Sequence, residues 1–102
     1  MSIEFKADIG KELSDESVVR LKTYILGHST SKIVRESDAE FGLGADSEDT
    51  NCRNLELISL SIGKDHIYLA FHTYSRSERE SFINVLKDAL AHEGIIADFR
   101  EL

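Results

Sequence analysis

Proline and tryptophan are absent from this sequence, and neither absence by itself selects a mechanism; cysteine occurs once, as Cys52. A single cysteine excludes an internal disulfide and any cysteine-based zinc cluster within one chain, so Cys52 reads as an ordinary free thiol. Long apolar runs are missing too. The longest, residues 67–71, falls far short of the roughly 18 to 20 residues of a membrane span. The first eight residues place acids where a signal peptide needs basic and then apolar residues, which makes a cytoplasmic protein the expectation.

Motifs that hold metals or phosphates are also lacking. The histidines stand at 28, 66, 72 and 92, none of them three or four residues from another, so no zinc-binding pattern forms. The acids of the stretch Asp46-Ser47-Glu48-Asp49 do not have the alternation, central glycine and terminal glutamate of a calcium loop. Gly42-Leu43-Gly44-Ala45 has neither the third glycine of a dinucleotide fingerprint nor a following Walker lysine, and it lies among acids that would repel a phosphate. No nucleophile, base and orienting group can be assembled from motifs. The expectation is therefore a non-enzyme with no cofactor and no metal.

What the chain does have is charge, unevenly spread. Its formal net charge is −7, and residues 36–52 contain six acids, Glu36, Asp38, Glu40, Asp46, Glu48 and Asp49, with no lysine or arginine. The rest is nearly neutral. Such a surface repels nucleic acid and anionic membranes and favours a basic protein as partner. Apolar residues at 41% and charged residues at 30% are close to the soluble average, enough for one core, and the length suits one domain over residues 1–102.

Periodicity sketches the elements. Residues 3–9 alternate apolar and charged, which predicts a strand with Ile3, Phe5, Ala7 and Ile9 facing inward. Ser14 with Asp15 and Glu16 predicts a helix start, Val18, Leu21 and Ile25 share a helical face, and Gly27 is the expected left-handed stop at about Leu26. Residues 32–35 and 40–45 read as short strands, and Gly42 and Gly44 suggest a bulge or the close approach of another backbone. Two strong β runs flank Gly63-Lys64-Asp65. With Lys64-Asp65 at the tip, Ile58, Leu60 and Ile62 face Phe71, Leu69 and Ile67 on one side of a hairpin. Ser77-Glu78-Arg79-Glu80 matches a capping box, followed by a helix whose Phe82, Val85, Leu86, Ala89 and Leu90 form one face. Gly94 stops it, and residues 95–99 return as a final strand.

One-sided alternation in the strands implies helices stacked on one face of a sheet. The expected fold is α+β, a two-layer sandwich with an antiparallel or mixed sheet and two helices on one face. Its nearest named pattern is the ferredoxin-like βαββαβ arrangement, or that arrangement with one strand added.

Two functional readings follow. His28 and His92 stand at expected helix ends and His66 beside a turn, all structural or solvated places, whereas His72 shares an open sheet face with Tyr68 and near Tyr74. In the first reading the protein binds a basic protein through Glu36, Asp38, Glu40, Asp46, Glu48 and Asp49, with Tyr68, His72 and Tyr74 in the contact surface. Phe41 is a further aromatic candidate that competes for a place in the core. In length, acid block and lack of catalytic motif the chain resembles the small cytoplasmic bacterial immunity proteins, antidotes to nuclease toxins and contact-dependent inhibition toxins. That resemblance implies a toxin domain as partner, with a cationic active site whose nucleic-acid phosphates the carboxylates imitate. In the second reading the open face of a ferredoxin-like sheet, with Tyr68, His72 and Tyr74, binds a small molecule, serves a small enzyme, or pairs with a second copy.

Overall fold

The computed structural model describes residues 2–29, 31–37, 40–45, 56–72 and 75–102. Their elements run β1 (Ile3–Asp8), α1 (Asp15–His28), β2 (Ser31–Glu36), β3 (Glu40–Ala45), β4 (Ile58–Ile62), β5 (His66–Phe71), α2 (Arg76–Ala91) and β6 (Arg100–Glu101). The six strands form one sheet in the order β2-β3-β4-β5-β1-β6, and every neighbouring pair is antiparallel. β5, α2 and β6 make a split β-α-β unit with β1 between its strands. The crossover through α1, by contrast, passes over three strands from β1 to β2, so two strands rather than one are added to the four-stranded pattern.

Burial explains the register. Ile58, Leu60 and Ile62 stand opposite Phe71, Leu69 and Ile67, and all six are buried. Continuing across the sheet, Ile3, Phe5 and Ala7 face Phe71, Leu69 and Ile67, while Phe41 and Leu43 face Leu60 and Ile58. A slip of one residue in any pair would turn this whole set toward water. Leu21 and Ile25 of α1 and Phe82, Leu86, Ala89 and Leu90 of α2 close over it as one cluster. Phe71 stands at its centre, edge-on to Phe5 and to Phe82 with ring centroids 5.8 Å apart in both cases.

Helix boundaries depart from expectation in two places. α1 runs through Gly27 to His28, and Gly27 is not among the glycines with positive φ. The helix ends instead on its own side chains: the Ser29 hydroxyl donates to the Ile25 carbonyl at 2.6 Å and His28 Nδ1 meets the Tyr24 carbonyl at 2.9 Å. These satisfy carbonyls that a left-handed glycine would otherwise have helped to close. α2 starts two residues earlier than expected, with Ser75 rather than Ser77 as N-cap and Glu78 completing the capping box. Both serines precede a glutamate by three residues, and the earlier start also lets Arg76 pair with Glu80 at 3.2 Å.

Gly94 does close α2. With φ of +75°, it lets Ile95 N–H reach the Leu90 carbonyl at 3.0 Å and its own N–H reach Ala91 at 3.0 Å, the paired bonds of a Schellman closure. Residues 95–99 are not a strand. Ile95 and Ala97 are buried and Ile96 is exposed, so the alternation is real in burial, but the Ile95 N–H serves the helix end. Ladder pairing to β1 begins only at Arg100.

Candidate protein-binding surface

The face of the sheet away from the helices carries rows of polar side chains, since alternate residues of each strand point there. One row crosses Glu40, Ser61, Tyr68, Lys6 and Arg100, and the next crosses Arg35, Gly42, Ser59, Ala70 and Glu4. This face covers itself: Glu4, Lys6, Ser59, Ser61 and Tyr68 are half-buried and Ala70 is buried. It is not an apolar surface awaiting a cover.

The acidic block meets this sheet at two of its members. Glu36, at the end of β2, turns toward the helices, where its carboxylate lies 2.7 Å from Lys22 Nζ of α1. Lys22 in turn stands 5.1 Å from the centre of the Phe41 ring. Glu40, at the start of β3, turns to the other face and meets Arg35 at 3.1 Å. The two acids therefore leave opposite faces of the sheet, and each faces a cation from a part of the chain outside the block. Asp38, Asp46, Glu48, Asp49 and Tyr74 lie outside the described residues. Phe41 is 1% exposed and belongs to the core, so it cannot anchor a partner.

Sequence reasoning missed the acid that organises the open face. Glu56, just before β4, accepts from Arg35 Nε at 2.7 Å through one oxygen and from the Ser59 hydroxyl at 3.0 Å through the other, and Ser59 Oγ lies 3.0 Å from His72 Nε2. Partial burial pushes the Glu56 carboxyl up, but the hydrogen bonds from Arg35 and Ser59, with the charges of Arg35 and His72, outweigh it and hold Glu56 below the usual carboxylate range. A Cβ on Gly42 would run into the Glu56 side chain. Of the two expectations for these glycines, the bulge lies in the facing strand, where the β2–β3 register shifts between Ile33 and Arg35 opposite Leu43 and Gly42, and the close approach is made by a side chain and not by a backbone.

His72 sits in this network, exposed at the end of β5. Tyr68 is two residues along the same face from Ala70, and it is engaged elsewhere: a hydrogen bond with Glu4, partial burial and the Glu4 charge raise its phenol above the ordinary value. The order Glu56, Ser59, His72 puts the serine between acid and imidazole. A serine nucleophile needs the imidazole between itself and the acid, because the base must take the hydroxyl proton that here goes to the carboxylate.

No family model, curated protein or solved structure matches the chain.

The remaining histidines contact their own neighbours. His28 stacks on Tyr24 at 3.9 Å between ring centroids, and His92 approaches the same ring at 5.0 Å. His66 pairs with Asp65 at 3.1 Å beside the hairpin tip. Among the described residues no group of three or more His, Cys, Asp or Glu converges as a metal site, and no described helix is long and apolar enough to cross a membrane.

Proposed function

We propose that this chain is a protein-binding inhibitory module, a cytoplasmic acidic antidote of the immunity-protein kind that neutralises a basic toxin domain by direct contact and has no catalytic activity of its own. The observation that carries the reading is the charge distribution: a net −7 of which residues 36–52 hold six acids and no base. Since Glu36 and Glu40 are met by Lys22 and Arg35, the contact acids narrow to Asp38, Asp46, Glu48 and Asp49. Ala45 at the end of β3 and Glu56 before β4 bracket the last three. The Arg35–Glu56–Ser59 bonds fix where the chain re-enters the sheet, beside His72.

The second reading loses support from the same geometry, since the open face is filled by its own ion pairs and His72 is not placed to activate Ser59. The test is charge reversal. Glu48→Lys with Asp49→Lys is expected to weaken binding to a basic nuclease-type toxin domain at least about tenfold, roughly 1.4 kcal/mol, mostly by slowing association. Undiminished binding by that variant would remove the acidic block as the contact surface.

A further inference from the structure

We infer that the groove between the C-terminal end of α1 and the N-terminal end of α2 receives an arginine side chain presented by the basic partner. Its volume is about 250 Å³, its floor is Ile58, Phe82 and Val85, and its rim carries His28, Ser81 and Glu78. That volume is below the roughly 300 to 1,000 Å³ of a small-molecule pocket, so it suits one side chain better than a whole ligand.

The chemistry of the rim selects the occupant. His28 Nδ1 lies 2.9 Å from the Tyr24 carbonyl oxygen. A carbonyl can only accept, so Nδ1 carries the proton, and in the neutral form of the ring Nε2 is the acceptor. Glu78 uses one carboxylate oxygen in the capping box, accepting from the Ser75 N–H at 3.2 Å and the Ser75 hydroxyl at 2.8 Å. Its other oxygen has no hydrogen-bond partner among the described residues.

The free rim atoms are therefore acceptors and hydroxyls, and none of the described residues lining the groove is a lysine or arginine. An anion is disfavoured, because the Glu78 carboxylate already occupies the positive end of α2. A cation on an aliphatic stem fits both parts: methylenes on the apolar floor, charge at the acceptors. Arginine fits better than lysine, since its planar fork can reach Glu78 and a second acceptor together.

This inference rests on the reading of the chain as a module for a basic protein, and one titration separates the two. N-acetyl-arginine amide is added to the whole chain and backbone amide shifts are followed. Saturable shifts are expected at Ser31, Ser77, Ser81 and Val85. Ser81→Trp, which fills the groove from an exposed helix position, should abolish them. Glu78→Gln, which keeps the capping box, should weaken them by up to about fivefold, the range for one exposed ion pair. If Ser81→Trp gives the same shifts as wild type, or uncharged N-acetyl-norleucine amide binds as well, the groove is not an arginine site. The acidic-block reading would survive that result, because it is decided by charge reversal at Glu48 and Asp49. If the groove titrates as described while that reversal leaves toxin binding intact, the groove stands and the acidic block falls.

Discussion

Glu93 shows how much a single side chain can hold in this small fold. Arg20 of α1 grips its carboxylate through two nitrogens, at 2.7 and 2.8 Å, and the Ser17 hydroxyl adds a third bond at 2.7 Å. The hydrogen bonds from Arg20 and Ser17, helped by the charges of Arg20 and Lys11, outweigh the desolvation that opposes them and hold Glu93 at about 2. The native state therefore binds this proton less readily than the unfolded chain, whose glutamates titrate near about 4.3. The contribution is complete above that value and is lost as pH falls through about 2. Acid titration followed by urea melts should show wild type losing stability between about pH 4.5 and pH 2 more steeply than Glu93→Gln. Equal slopes would mean that the clamp joining the two helices adds nothing. Nothing in the sequence signals this contact, because Ser17, Arg20 and Glu93 meet only after α2 folds back along α1. Gly42 is the opposite case: the glycine was legible as a close approach, but which group made that approach was not.

Among the elements, those governed by period were legible and those governed by competition between equal local signals were not. The hairpin register followed from collecting six apolar residues on one face with the tip at Lys64-Asp65, since a one-residue slip would turn one strand's set to the other face. The start of α2 did not, because Ser75 and Ser77 both stand three residues before a glutamate. The structure chooses Ser75, whose hydroxyl accepts from the Glu78 N–H at 3.3 Å while Glu78 returns the bond. Ser75→Ala should accordingly cost about 1 kcal/mol of stability, and Ser77→Ala within about 0.5, as measured by denaturant melts. A larger loss at Ser77 would shift the helix start by half a turn. The segment after Gly94 shows the limit of alternation as a signal: it reports which side chains are buried, and backbone pairing is decided by what else needs the N–H groups.

At the scale of the molecule, part of the charge is paired within the chain and the balance is negative. Lys22, Arg35, Arg76 and Arg100 each meet an acid of the chain, and ion pairs at a surface contribute little to stability. The net −7 is left as a field that repels itself in the isolated chain and attracts a basic partner from beyond contact distance. Salt acts on these two effects in opposite senses, because the screening length falls from roughly 10 Å at 0.1 M to roughly 3 Å at 1 M. Raising salt over that range should leave the melting temperature of the free chain unchanged or raise it. Over the same range it should slow association with a basic toxin domain, with dissociation changing far less. The variant with Glu48→Lys and Asp49→Lys should show a shallower loss of association rate, having less attraction to screen. If wild type and variant depend on salt alike, the steering charge lies elsewhere on the molecule and the acidic block is a solvated surface.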